Sequence, residues 1–176
     1  MPFAHHVYEN FIEGSHHRVI AKKLEEVASG KIKRLIINMP PRHSKSEFAS
    51  YLMPAWFLGR NPKLKIIQAT HNTELAVRFG RKVRDLIDDP QYKDIFPTTN
   101  LKEDNKGAGR WQTDKGGEYF AAGVGAAVTG RGADLFVIDD PHSEQDALSE
   151  SAFDHAYEWY TSGPRQRLQP GGSITV

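Results

Sequence analysis

Apolar and polar positions alternate along most of the chain in a way that predicts helices and strands in turn. Helical spacing of apolar side chains, with a possible N-cap serine and a glycine stop around the first segment, predicts helices over 15–29, 45–58, 73–87 and 149–161. Short apolar runs typical of strands buried on both faces occur in RLIIN (34–38), LKIIQAT (64–70) and LFVI (135–138). Pro54 is expected to kink the second helix.

The remaining segments complete this pattern. GRWQTD and GEYFAAG predict a hairpin that turns at Lys115 and Gly116, and GGSITV (171–176) predicts a turn that leads into a strand. Residues 90–106 are polar and are expected to be irregular. Strands that alternate with helices indicate an α/β fold with a mostly parallel central sheet flanked by helices. A length of 176 residues favours one domain.

Composition narrows the class of protein. Hydrophobic residues make up 39% and charged residues 26%, which is typical of a globular chain. The net charge of +1 is too small for binding of nucleic acid by bulk charge, so any contact with a polyanion is expected to be local. There is no cysteine and no apolar run of signal-peptide or membrane-spanning length, so we expect a cytoplasmic protein without a membrane partner.

The stretch NMPPRHSKSEFAS (38–50) resembles a phosphate-binding loop, G-x-x-x-x-G-K-[ST], between a strand and a helix. Lys45 and Ser46 supply its ending, whereas Met39 and Ser44 occupy the glycine positions. Prolines donate no N–H group, so the cradle for phosphate would come from the N–H groups of residues 42–46 at the start of the helix. Alternatively, the Lys-Ser pair only opens an amphipathic helix.

The run LFVIDD has the form of a Walker B strand, in which apolar residues end in an acidic pair. Asp139 would hold Mg²⁺ and Asp140 would orient the attacking water. The alternative is a buried strand that ends in solvated aspartates at a turn closed by Pro141. Because the loop and this strand occur together in one chain, the combination favours a site for ATP and Mg²⁺.

With these motifs in view, the chain resembles the N-terminal ATPase domain of the large terminase subunit of tailed bacteriophages. The resemblance is carried by HHRVIAKKLEEVASGKIKRLIINMPPRHSKSEFAS, KIIQATHNTELAVRFGRKVRDL and GEYFAAGVGAAVTGRGADLFVIDDPHSEQDA. It implies a P-loop NTPase of the ASCE type, in which an extra strand separates the two motif strands. It also implies that residues 1–176 are the N-terminal part of a longer protein whose nuclease domain is absent, so no nuclease activity is expected.

The resemblance assigns roles to individual residues. Phosphate and nucleotide contacts fall on Arg42, His43, Ser44, Lys45, Ser46 and Glu47. Ser46 and Asp139 become the Mg²⁺ ligands, and Asp140 becomes the catalytic carboxylate. Arg42 would sense or stabilise the γ-phosphate, and Arg131, in TGRGAD, is expected either to act as an arginine finger in a neighbouring subunit or to be an ordinary surface arginine. The family's nucleotide pocket draws on the segment before the first strand, so either His16 or His17 is expected near the adenine, and His17 is the residue assigned to the site.

Two positions depart from the family pattern. Ser44 replaces the usual glycine, which predicts weaker binding of ATP because serine adopts the required backbone conformation only at a cost. Asp140 stands where many terminases have glutamate, and its side chain is one methylene shorter. Glu144 is the substitute catalytic carboxylate if Asp140 is badly placed.

The implied function is an ATP-hydrolysing motor that drives double-stranded DNA into the viral prohead. Its expected partners are double-stranded DNA, the portal protein, the small terminase subunit and further copies of the chain in a ring, in the host cytoplasm and transiently at the portal vertex. Two alternatives remain: a helicase-like ATPase stimulated by nucleic acid, and a catalytically silent module that docks to the portal or small terminase. Lysines and arginines of the segment thought irregular are the preferred DNA contacts: Lys102, Lys106, Arg110 and Lys115.

Overall fold

The computed structural model describes residues 1–176, apart from the side chain of Ala147. The helices are α1 (Pro2–Val7), α2 (Ser15–Ala28), α3 (Met53–Arg60), α4 (Thr73–Ile87), α5 (Pro90–Ile95) and α6 (Glu150–Ser162). The strands are β1 (Arg34–Leu35), β2 (Lys65–Thr70), β3 (Leu101–Gly107), β4 (Arg110–Thr113), β5 (Glu118–Gly123), β6 (Ala133–Asp139) and β7 (Leu168–Thr175). A π-helical turn (Glu47–Leu52) precedes α3, and single 3-10 turns occupy Asp146–Leu148 and Pro164–Arg167.

The strands form one seven-stranded sheet in the order β1-β7-β6-β2-β5-β4-β3. Strands β1, β7, β6, β2 and β5 run parallel, and β4 and β3 continue the sheet antiparallel. The prediction of an α/β fold with a mostly parallel sheet is therefore confirmed. So is the hairpin at Lys115 and Gly116, because β4 and β5 pair antiparallel on either side of that turn.

Helices cover both faces of the sheet because successive residues of each buried strand point to opposite sides. On the first face, Ile66 and Val137 pack beneath α2, the π-helical turn, α3 and α4. On the second face, Ile67 and Phe136 pack against Trp159 of α6. Among the described residues, no helix is both long and apolar enough to span a bilayer.

The helix that follows the predicted phosphate loop is not a uniform α-helix. The N–H group of Met53 bonds to the carbonyl of Phe48, five residues earlier, and Pro54 stands in the first turn of α3. Proline has no N–H group and its ring collides with a carbonyl four residues earlier in a regular helix. A wider turn relieves that collision, so Pro54 is accommodated by the π-helical turn and the helix continues to Arg60.

The expectation that residues 90–106 are irregular is wrong. Asp89 caps α5 by accepting a hydrogen bond from the N–H of Gln91 at 2.8 Å, and Pro90 is suited to the first helical position. Tyr92 on this helix is fully buried and donates to the carbonyl of Ala55 at 2.8 Å. Strand β3 then pairs with β4 across an irregular register.

Strand β1 is the outer edge of the sheet, with β7 as its neighbour. The N–H of Val176 bonds to the carbonyl of Leu35, and the N–H of Ile37 bonds to the carbonyl of Val176, both at 2.8 Å. Because these odd-numbered residues face β7, the backbone groups of Ile36 face away from the sheet. The side chain of Ile36 is 70% exposed.

Candidate functional site

The phosphate loop (residues 39–46) runs from the end of β1 into the helix that contains the π-helical turn. All of its residues except His43, together with Glu47 and Asp140, line an open cleft of about 470 Å³, a volume within the range of small-molecule sites. The first helical hydrogen bond runs from the N–H of Phe48 to the carbonyl of Ser44 at 3.0 Å. The N–H groups of Lys45, Ser46 and Glu47 precede that bond, so they are available to an anion in the cleft.

Two residues of the loop have a left-handed backbone. The φ angle is 63° at Arg42 and 64° at Ser44, where side chains other than glycine are uncommon. Serine thus adopts the conformation that glycine supplies in the usual pattern. Its side chain costs roughly 1 kcal/mol in this conformation, so the loop keeps its shape at the expense of some stability. His43 lies between the two, and its ring contacts the carbonyl of Pro41 at 2.9 Å.

The side chain of Lys45 reaches both predicted aspartates. Its ammonium contacts the carboxylate of Asp140 and lies 3.7 Å from Oδ1 of Asp139. Strand β7 lies between β1 and β6 in the sheet, so this contact spans the carboxyl ends of three strands. The structure therefore brings Lys45, Ser46, Asp139 and Asp140 together at the carboxyl ends of the parallel strands.

The two aspartates differ in their surroundings. Asp139, the last residue of β6, is 5% exposed, and its Oδ2 accepts a hydrogen bond from the hydroxyl of Ser50 at 2.8 Å. Asp140 is 58% exposed and has a left-handed backbone with φ of 45°. Its carbonyl accepts the N–H of His71, at the end of β2, at 3.0 Å. Asp139 is thus held inside the protein, whereas the carboxylate of Asp140 is exposed at the cleft.

Ser50 was missed by the sequence analysis. A single serine in an apolar helix is ordinarily read as a packing residue, and nothing in the local pattern links it to a strand about ninety positions later. The available signal was its position four residues after Ser46, which places the two hydroxyls near one side of a helix.

Glu47 has its carboxylate directed to other helices. It accepts hydrogen bonds from the hydroxyl of Tyr8 and from the ammonium of Lys82, the latter at 2.8 Å. The ammonium of Lys82 also lies 4.4 Å from the centre of the Tyr51 ring. Burial, followed by the charge of Glu47, raises the pKa of Tyr51 to about 12. Of Glu47, the backbone N–H is therefore the part available to a nucleotide.

His17, on α2, packs against Phe48 of the helix that follows the loop. It is 6% exposed, stacks on Phe48 with ring centres 5.1 Å apart, and accepts the N–H of Gly14 at Nδ1. Burial, and then the charge of His16, lowers the pKa of His17, so the neutral ring is favoured. Since Nδ1 accepts, the proton lies on Nε2, and that atom is buried without a hydrogen-bond partner among the described residues.

The other predicted site residues lie apart from the Lys45 contacts. Arg42 and Glu144 are exposed, the first in the loop and the second in the turn after β6. Arg131 precedes β6, and its guanidinium contacts Glu118, the first residue of β5, at 2.5 Å. The amino ends of these parallel strands lie on the side of the sheet opposite the cleft, so Arg131 does not reach the cleft of the same chain.

The preferred DNA-contact residues also lie elsewhere than expected. They belong to β3, β4 and the β4–β5 turn rather than to an irregular loop. Lys102, Arg110 and Lys115 pair with Asp104, Glu118 and Asp114 respectively, at 3.1 to 3.3 Å. Those carboxylates would compete with phosphates of DNA.

Comparison with known proteins finds a similar fold but no protein that is similar in sequence. No protein-family model matches the chain, and no curated protein is significantly similar to it in sequence. Among solved structures, the large terminase of bacteriophage HK97 is similar, with a TM-score of 0.57 and 11% sequence identity. The similarity covers 96% of this chain and 33% of that one, so the chain spans about a third of the length of its structural neighbour. The fold is therefore terminase-like.

Proposed function

We propose that the chain is the ATP-hydrolysing part of a motor that packages double-stranded DNA into a viral prohead. The observation that carries the proposal is the contact of Lys45 with Asp139 and Asp140 at the mouth of the cleft. An ammonium from a strand–loop–helix unit and two carboxylates from a buried strand are the groups that an ATPase of this class uses. The terminase-like fold supports the packaging role.

The order of the strands supports membership of the ASCE class. In the sheet, β7 separates β1, which leads into the loop, from β6, which ends in the aspartates. An inserted strand between these two motif strands is what the resemblance to terminases implies. The order β1-β7-β6-β2 thus agrees with a P-loop NTPase of that type.

The residues present suit a magnesium–nucleotide complex. The helix start offers N–H groups to phosphate, Lys45 offers a cation, and Ser46 and Asp139 offer the oxygen ligands that Mg²⁺ prefers. Bound Mg²⁺ would neutralise charge on the phosphate oxygens. Asp140, exposed at the cleft, would orient the attacking water, and Arg42 would contact the γ-phosphate. Lys45 would exchange Asp140 for phosphate as the nucleotide enters.

Partners remain part of the proposal. We expect a ring of identical chains around double-stranded DNA, with the portal and the small terminase subunit as docking partners. Arg131 would complete the site of a neighbouring subunit, so separate chains should hydrolyse ATP slowly.

A fluorescent ATP analogue tests the nucleotide site directly. The wild-type chain should bind it saturably in the presence of Mg²⁺, and Lys45→Ala should weaken binding at least 100-fold, because the phosphates lose their cation. Lys22→Ala, an exposed lysine on α2, is the matched control and should bind as the wild type does. Absence of binding by the wild type would leave only the silent docking module.

A second measurement separates packaging from the helicase-like alternative. Hydrolysis by the assembled protein should rise more with double-stranded than with single-stranded DNA. Preferential stimulation by single strands would favour the helicase-like ATPase instead.

A further inference from the structure

The hydroxyl of Ser50 is fully buried between the phosphate-loop helix and the sheet. It donates to Oδ2 of Asp139 at 2.8 Å, and this bond joins the middle of the π-helical turn to the last residue of β6. A buried polar group that lacks such a partner is costly, so the two side chains hold one another in place.

This bond determines which oxygen of Asp139 faces Lys45. Oδ2 is engaged by Ser50, and Oδ1 is the oxygen that lies 3.7 Å from the ammonium of Lys45. Because a carboxylate rotates as a unit, fixing one oxygen fixes the other. Oδ1 is therefore directed toward the ammonium of Lys45, which lines the cleft, before any ligand arrives.

The π-helical turn determines where Ser50 points. Residues 47–52 are wound more loosely than an α-helix, and the wider turn is required by Pro54. The direction of each side chain in this segment depends on that winding. The bond from Ser50 to Asp139 is thus a consequence of the local helix geometry as well as of the serine itself.

We propose that Ser50 is a positioning residue that holds Asp139 in the orientation needed to bind Mg²⁺ with the nucleotide. The inference rests on the proposed function and adds to it a residue that touches neither nucleotide nor metal. Removal of a group that orients a metal ligand typically weakens metal affinity or activity 10- to 100-fold.

The test is a titration of Mg²⁺ in the presence of the fluorescent ATP analogue. For Ser50→Ala, we expect the half-saturating Mg²⁺ concentration to rise at least 10-fold, while binding of the analogue without Mg²⁺ stays within 2-fold of the wild type. Ser50→Thr keeps the hydroxyl and should restore most of the Mg²⁺ dependence. If Ser50→Ala does not fold, Ser50→Cys, a weak donor of similar size, should show a smaller shift in the same direction.

Ser173→Ala is the matched control, because Ser173 is also a buried serine. Its hydroxyl donates to the backbone carbonyl of Ile32 at 3.4 Å rather than to a carboxylate. It should leave the Mg²⁺ titration unchanged. An unchanged Mg²⁺ requirement in Ser50→Ala, or equal shifts in the two alanine variants, would overturn the role of Ser50 while the wild type still binds. If the wild type itself shows no Mg²⁺-dependent binding, the proposed function fails and the role of Ser50 fails with it.

Discussion

Lys45 and Arg131 are basic side chains of similar exposure, 24% and 23%. Lys45 lies at the carboxyl ends of the parallel strands and Arg131 at their amino ends. In the Lys45 cluster (Lys45, Asp139, Asp140), two carboxylates surround one ammonium. In the Arg131 cluster (Arg131, Arg110, Glu118), two guanidinium groups share one carboxylate, and that of Arg131 also lies 3.9 Å from the centre of the Phe120 ring.

The difference between the clusters is one of charge and of partners. The Lys45 cluster has an excess of negative charge beside an open cleft, which favours a further cation. The Arg131 cluster has an excess of positive charge, and its arginine is held by both an ion pair and an aromatic ring. We infer that Lys45 can exchange a carboxylate for a ligand. In a separate chain, Arg131 keeps its contacts with Glu118 and the Phe120 ring.

Substitution in the Lys45 cluster should give the largest effect. Asp140→Asn should lower the rate of ATP hydrolysis at least 100-fold, because an amide orients and polarises water poorly, with little change in binding of the magnesium–nucleotide complex. Steady-state kinetics and the fluorescence titration measure the two quantities separately. Glu144→Gln is the control; if it loses hydrolysis and Asp140→Asn does not, the two carboxylates exchange roles.

Removal of the guanidinium from the Arg131 cluster should give a smaller effect, on stability. Arg131→Gln loses a partly buried ion pair and a cation–π contact, together about 1 kcal/mol of the free energy of unfolding. Urea unfolding of this variant, of Glu118→Gln and of the double variant gives the coupling free energy between Arg131 and Glu118. Nucleotide binding by separate chains should not change.

The same variant tests the arginine finger. If rings of Arg131→Gln hydrolyse ATP much more slowly while separate chains are unaffected, Arg131 exchanges Glu118 for a neighbour's nucleotide. Unchanged hydrolysis by the ring would leave the arginine with a structural role alone.

Lower pH should reduce the stability contributed by His17, which packs on the helix after the phosphate loop, more than that contributed by the Arg131 cluster. The pKa of His17 is lowered by burial and by His16, so the unfolded chain binds its proton more readily than the folded one. The stability that neutral His17 contributes is present above about pH 6.5, the ordinary pKa, and is lost as pH falls toward the lowered folded value. The Arg131 cluster contains no histidine.

His17→Asn removes the titration and keeps an acceptor for the N–H of Gly14, so the loss of stability between pH 7 and 5 should be less steep. Chemical denaturation at several pH values measures this slope. His155→Asn, which removes an exposed histidine on α6, is the control. Equal slopes in all three proteins would contradict the assignment.

Changes of backbone conformation near each cluster should have effects on stability that are no larger than that of Arg131→Gln. Gly130 has φ of 74° with open space around it, so Gly130→Ala should cost about 1 kcal/mol of stability through the left-handed backbone alone. Ser44→Gly removes that strain but adds freedom to the unfolded chain, and the two should nearly cancel. Thermal unfolding measures both. A Ser44→Gly variant less stable than Gly130→Ala would show that the serine hydroxyl stabilises the loop.

Local signals in the sequence predicted the elements that carry the site. The helix over 73–87 has a regular apolar repeat, and Asn72 caps it by accepting the N–H of Leu75 at 2.8 Å, so pattern and structure agree. The loop, Lys45 and the acidic pair could likewise be found because their spacing is local. Residues 90–106 were misjudged because their polar composition outweighed the Asp89-Pro90 helix start and because β3 is stabilised by pairing with β4.

Relations between distant segments were beyond the local patterns of the sequence, and only the family resemblance implied a strand between the two motif strands. That β7 separates β1 from β6 depends on how whole strands pair, and no single residue encodes it. Ser50 matters only because β6 passes beneath its helix, and Arg131 meets Glu118 only because β5 and β6 begin at the same edge. In each case the chemistry arises from packing between elements far apart in the chain.

The outward side of β1 has consequences for work with the purified chain. The backbone groups of Ile36 bond to no neighbouring strand of the sheet, and its side chain is apolar and exposed, a combination that favours pairing with a strand of another molecule. We expect light scattering to increase with protein concentration well below the melting temperature. Ile36→Lys should keep concentrated samples clear, because a charged side chain makes docking of a second strand costly.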